Sequence, residues 1–261
     1  MALIVEKDPV AIVARLRPVV AADPVRHTIL ATIAHDVGTG SAGWCAHDGS
    51  AVAARSDAAR PLAVTGGWAD LPALAAALPA TRALGGPPPV VARLVELLDR
   101  PVVDVIDERL FRCDRVRAPA GVPGAARRAT PADAELLAAW RAPYLVDVFG
   151  RVPPGTDLAA WSTQALAGGT WMWVDPAGRP VAHAAVRPPQ HGVVRIGPVY
   201  TPPEHRGHGY ASAVTAHAAT EALASGAVPV LMTDLANPTS NRIYEAIGFR
   251  PVEDRTSVWF E

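Results

Sequence analysis

Lysine is almost missing from this chain: Lys7 is the only one in 261 residues, so the basic charge is nearly all arginine. No lysine stands near a glycine-rich stretch, which removes Schiff-base chemistry and the phosphate-loop lysine of Walker-type nucleotide hydrolysis. Cysteine is nearly as scarce. Cys45 and Cys113 form neither a metal spacing nor a disulfide framework, and the expectation is a reducing compartment. No uncharged apolar run of about 18 residues occurs, which argues against a membrane span. Residues 1–17 mix Glu6, Lys7, Asp8 and Pro9 among apolar positions, unlike a secretory signal. A cytoplasmic protein is expected. Charge imbalance is absent as well: 24 basic against 25 acidic residues give a formal charge of −1. That leaves no global attraction to nucleic acid or to an anionic membrane.

What is present suffices for real cores, with 50% hydrophobic and 19% charged residues. The length fits two modest domains or one large one. Helix-like and strand-like stretches alternate loosely over the first 115 or so residues, an α/β pattern. Helices are read at 10–20 and 25–35 with Asp23 as a cap for the second, and a type I′ hairpin at Asp48-Gly49. Gly85 to Pro89 reads as a breaker, and 102–106 and 109–112 as two strands. The segment 118–125, with Pro119, Gly121, Pro123 and Gly124, reads as a boundary, giving domains at 1–120 and 126–261.

Beyond it come a short strand at 126–129, a helix from Thr130 to about Trp140, a second near 157–167, and a hairpin over 170–174 and 181–186. A strand at 193–200, a helix at 210–224, a strand at 228–234 and a helix from Asn237 to Gly248 follow. Two short strands, 249–252 and 257–260, close the chain. Trp171 and Trp173 share a strand face and read as core, and Arg127-Arg128 as a small solvated basic pair.

The stretch from Gly197 to Ser212 organises this half. Pro202-Pro203 ends a strand, an alanine-rich helix begins at Tyr210, and between them stands Arg206-Gly207-His208-Gly209. The glycines permit positive φ and close ligand approach, and amides at a helix N-terminus favour an anion such as a pyrophosphate. His205 and His208 have no third ligand at a supporting spacing, so no metal is expected.

Glu204-His205-Arg206-Gly207-His208-Gly209, followed by Asn237, Ser240, Tyr244 and Gly248-Phe249, resembles the paired motifs of the Gcn5-related N-acetyltransferase family. The family signature opens with Gln or Arg; here that position is Glu204, which removes a polar or basic contact. The resemblance implies an α/β fold with a mixed sheet and acetyl-CoA as co-substrate. It places the main chain of Val199, Tyr200 and Thr201, the amides of Arg206, Gly207, His208, Gly209, Tyr210, Ala211 and Ser212, and Asn237, Ser240 and Tyr244 at the cofactor. The first half resembles the degenerate amino-terminal partner of tandem-domain members, smaller and shaping the acceptor site; an unrelated α/β cap is the alternative.

The implied reaction is acetyl transfer to a primary amine by direct attack in a ternary complex, with Tyr244 as the general acid that protonates the leaving thiolate. Arg195 and its neighbours offer no carboxylate where some relatives carry one, so Asp234, His183 and a water relay are the candidates for the base. The acceptor would be a small-molecule or protein amine, shaped in part by loops such as 144–156, and the protein a monomer or homodimer. A non-catalytic acyl-CoA-binding module is the competing reading.

Overall fold

The computed structural model describes residues 2–152 and 156–261. By its internal contacts the chain divides into two compact units. The first holds residues up to Phe111 with Met232–Asn241 and Pro251–Glu261; the second holds Arg112–Leu231 with Arg242–Arg250.

The first half of the chain runs β1 (Ile4–Glu6), α1 (Pro9–Ala22), α2 (Thr28–Gly38), β2 (Trp44–His47), β3 (Val52–Arg55), β4 (Leu62–Val64), α3 (Leu71–Ala77), β5 (Ala83–Gly86), α4 (Pro88–Leu98) and β6 (Val102–Cys113). The second runs β7 (Ala125–Arg128), α5 (Ala134–Phe149), α6 (Leu158–Gly168), β8 (Trp171–Val174), β9 (Pro180–Val186), β10 (Val193–Tyr200), α7 (Tyr210–Ala224), β11 (Val228–Asp234), α8 (Pro238–Ala246) and β12 (Phe249–Phe260). Each half is therefore strand, two helices, three strands, helix, strand, helix, strand. The same order of helices and strands thus occurs twice along the chain.

In the first unit the strand order is β1-β2-β3-β4-β5-β12-β6, so the last strand of the chain completes this sheet, antiparallel to β5. Its helices cover both faces. Ile12, Leu16, Leu30 and Ile33 of α1 and α2 pack with Cys45, Val52 and Ala54; Leu74, Val91 and Leu94 of α3 and α4 pack with Trp44, Ala53 and Leu84. Neighbours such as Trp44 and Cys45 fall in opposite clusters because strand side chains alternate between faces. In the second unit the order is β11-β10-β9-β8-β7, and α7 buries Ala213, Ala216, Ala219 and Ala222, whose small side chains let the helix lie close to its neighbours.

Several sequence expectations are corrected. Asp23 caps no helix: its carboxylate accepts from the Arg26 amide at 3.0 Å and closes a turn, and α2 begins only at Thr28. Asp48-Gly49 is not a type I′ turn, because Gly49 alone of the pair has positive φ. Asp48 instead accepts from the amides of Ser50, Ala51 and Ala69, each at 2.9 Å. Gly85-Gly86 is strand, not breaker: β4 and β5 are parallel with Ala63 opposite Gly85. A Cβ on Gly86 would lie 2.5 Å from the Val64 carbonyl oxygen, so glycine is what permits this approach.

The pairs of strands expected at 102–112 and 249–260 are single strands, β6 and β12, whose polar residues pair across the sheet. Arg109 grips Asp254 with two bonds of 2.6 and 2.8 Å, and Thr256 donates to Asp107 at 2.6 Å. Helix α5 runs past Trp140 and through Pro143 to Phe149, with Leu137 and Leu145 buried. Arg127 and Arg128 lie at least partly in solvent, as expected, and each also has a partner. Arg127 makes a bidentate bridge to Asp133 at 2.7 and 2.8 Å, and Arg128 donates to the Gly169 carbonyl and covers the Trp171 ring at 4.0 Å.

Candidate functional site

The site begins where a sheet stops pairing. β10 and β11 run parallel from Val193 opposite Val228 to Arg195 opposite Val230, and among the described residues the register goes no further. On its other side β10 stays paired with β9, with Val199 opposite Ala184 and Tyr200 opposite His183. The edge of Gly197 to Tyr200 that faced β11 thus has no ladder partner there, and its main-chain groups are open to a ligand. Val199 is half-buried and Tyr200 buried. The Thr201 hydroxyl is buried and has no hydrogen-bond partner among the described residues, the condition expected of a group that meets a ligand or water.

Beyond Thr201 the chain makes one tight turn, with the amides of His205 and Arg206 bonded to the carbonyls of Pro202 and Pro203. Gly207 and Gly209 then take φ of +83° and +81°, the left-handed region where glycine is unstrained. The next amide with a backbone acceptor is that of Ala213, which donates to Gly209 at 3.0 Å. Among the described residues the six amides from Gly207 to Ser212 have no backbone acceptor. They open a helix of 15 residues with no acidic side chain in its first turn. Unfilled donors and the positive helix end together favour an anion.

The side chains of this loop hold its shape. Arg206 donates to Asp147 at 2.5 Å and to the Thr201 carbonyl at 3.0 Å, tying the loop to α5 and to the end of β10. His208 Nδ1 lies 2.9 Å from the Arg206 carbonyl oxygen, and its ring stacks on Tyr210 at 5.5 Å. Neither imidazole belongs to a metal cluster: among the described residues no group of three potential ligands exists.

Asn237 caps α8, its side-chain oxygen accepting from the Ser240 amide at 3.0 Å. Asn241, which sequence reasoning passed over, donates to the Asp234 carbonyl at 2.9 Å and fastens the helix to the end of β11. Its place four residues after the cap was the available signal. Tyr244 stands one helical turn beyond Ser240, on the same face, half-buried with its ring 6.1 Å from that of Phe249. Burial first, and Tyr144 second, raise its phenol above the ordinary value, so it is a neutral donor at physiological pH.

Neither candidate side-chain base is arranged as one. Asp234 accepts from the Ala236 amide at 2.7 Å and shapes the turn before α8. His183 is fully buried, stacked on Trp140 at 5.9 Å and flanked by Trp161 and Tyr200. Burial, and after it the charge of Arg141, lowers its pKa to about 3, far from the pH at which a general base works well. Of the segment 144–156, the part from Tyr144 to Phe149 is helix, and residues 153–155 lie outside the described residues.

Residues 134–249 match the model of the acetyltransferase (GNAT) family. No curated protein matches the chain in sequence. Solved structures share its fold at low identity. An acetyltransferase from the GNAT family of Colwellia psychrerythraea is 10% identical, with all of both chains covered and a TM-score of 0.64. A GCN5-related N-acetyltransferase from Sphaerobacter thermophilus is 16% identical, with 98% of this chain and 94% of that one covered and a TM-score of 0.65. A tandem GNAT protein from the clavulanic acid biosynthesis pathway is 16% identical, with 84% and 82% covered and a TM-score of 0.53.

Proposed function

Residues 134–249 belong to the acetyltransferase (GNAT) family, and from that premise we propose that the protein transfers an acetyl group from acetyl-CoA to a primary amine by direct attack in a ternary complex. The observation that carries the reading is the run of six unfilled amides, Gly207 to Ser212, beside the unpaired edge of β10. The amides would hold the pyrophosphate, with Arg206 and His208 fixing the loop that presents them. Main-chain groups of Val199 and Tyr200, and the Thr201 hydroxyl, would bind the pantetheine arm and the thioester carbonyl. Asn237 sets the start of α8 and Ser240 its first turn; the family resemblance assigns both to the same arm.

In the transfer the amine nitrogen bonds to the thioester carbon, the carbon–sulfur bond breaks, and the Tyr244 phenol supplies the proton that the departing thiolate takes up. At neutral pH the phenol carries the proton that this step requires. The proton lost by the amine passes to water and water returns one to the Tyr244 phenolate, since Asp234 is engaged in a turn and the buried His183, its pKa lowered to about 3, is too weak a base to take it. The first unit is read as a degenerate partner domain that shapes the acceptor side. The protein is read as a soluble cytoplasmic monomer or homodimer acting on a small-molecule or protein amine.

The lack of a poised base favours a second reading, an acyl-CoA-binding module without turnover. Incubation with acetyl-CoA and an amine panel, with free thiol followed over time, separates the two. Thiol release that depends on an amine and falls in Tyr244→Phe supports the enzyme, and binding without release for any amine supports the module. Either way acetyl-CoA at 100 times its Kd stabilises the fold by about 2.7 kcal/mol.

A further inference from the structure

The first unit contains a cavity of about 160 Å³ that no part of the proposed reaction uses. It lies at the carboxyl ends of the parallel strands β4 and β5, lined by Gly66 after one and Pro87 after the other. Carboxyl ends of parallel strands are where open α/β sheets receive ligands.

Its polar wall is rich in donors. Arg255 is only 8% exposed, and one of its nitrogens donates to Glu253 at 3.1 Å. Arg26, at the mouth, approaches the other oxygen of Glu253 at 3.3 Å and gives a second nitrogen to Asp23 at 2.8 Å. The two carboxylates offset the two guanidinium charges, but each takes only part of the donor set. The N-terminus of α2 also reaches the cavity. Its capping residue His27 makes no side-chain cap bond, and among the described residues the amides of Ile29 and Leu30 have no backbone acceptor. A buried guanidinium and an uncapped helix end therefore face one space, while Leu30 and Val64 supply an apolar wall.

We propose that this cavity binds a small monocarboxylate with a short apolar body, its carboxylate on the α2 amides and Arg255, its hydrocarbon against Leu30, Val64 and Pro87. The volume suits such a molecule, being close to the roughly 150 Å³ of an apolar cavity that takes up benzene. A dianion fits less well, because the lining arginines are already offset in charge and only the dipole end of α2 is left to balance the guest.

The test is calorimetric titration of the whole protein with isovalerate, inorganic phosphate and isoamylamine as probes. Isovalerate binds to the wild type, phosphate at least about tenfold more weakly, and the amine not at all. Arg255→Gln weakens isovalerate by about tenfold or more. Gly66→Leu does the same by filling the space, in a position where an added Cβ meets nothing closer than 3.9 Å, so the fold is kept. Acetyl-CoA binding is unchanged in both variants, which separates this site from the one on β10 and α7. No isovalerate binding by the wild type, undiminished binding in Gly66→Leu, or phosphate binding as tight as isovalerate overturns the proposal.

Discussion

The loop after β4 and the loop after β10 hold the same place in two copies of one topology, and they treat an incoming anion in opposite ways. The parallel partner β5 is in register with β4 up to Ala63 opposite Gly85, one residue from the end of β4, and Gly86 is pressed against the Val64 main chain. The helix that follows, α3, is capped by Asp70, which accepts from the Ala73 amide at 2.9 Å, and Asp48 takes the Ala69 amide. After β10, the parallel partner leaves the register at Arg195, and α7 is capped by Gly209, which has no side chain to offer. A helix end that has its own carboxylate is already satisfied. One that opens on glycine leaves its amides for a ligand.

The largest effect should come from giving the second loop what the first has. In Gly207→Glu a carboxylate occupies the anion position, and acetyl-CoA binding by calorimetry is lost; retained affinity would break the comparison. The substitution also places a side chain at φ +83°, so the fold is checked by circular dichroism before binding is read.

Next is Tyr244→Phe, where loss of the proton donor lowers kcat by about a hundredfold with little change in acetyl-CoA affinity. An unchanged kcat would move the acid elsewhere.

Asp133 sharpens the contrast in another way, because the second unit does use a carboxylate at a helix entrance, away from the ligand loop. The Arg127 bridge and the Thr130 amide lower its pKa from 3.8 to about 2. The sign follows: the stabilisation is full above the unfolded pKa and is lost as pH falls from about 4 towards about 2. It amounts to about 2 kcal/mol. Denaturant titrations at a series of acid pH values should find that loss, and Asp133→Asn should remove most of it.

The smallest effect is Asp70→Ala, which costs about 1 kcal/mol of stability as a lost cap and leaves acetyl-CoA affinity as it was. A gain of a second acetyl-CoA site in this variant would mean that Asp70 alone closes the first loop.

The elements around the ligand loop were readable because their signals are local. Val193–Tyr200 ends just before Pro202-Pro203 and Tyr210–Ala224 begins just after Gly209, and the Asn237 cap is a contact over three residues. What escaped depends on partners distant in sequence. Gly85-Gly86 becomes a strand because Val64 lies beside it, and Asp107 and Arg109 stay in one strand because Thr256 and Asp254 meet them across the sheet. His183 could be proposed as a base from its place before the loop. Only its aromatic surroundings, Trp140, Trp161 and Tyr200, remove it from that role.

Calorimetric titration of the wild-type chain with acetyl-CoA tests the contrast between the two loops most directly. A single site per chain, absent in Gly207→Glu, is the predicted result. Two sites, no site, or a site that survives the substitution would contradict it.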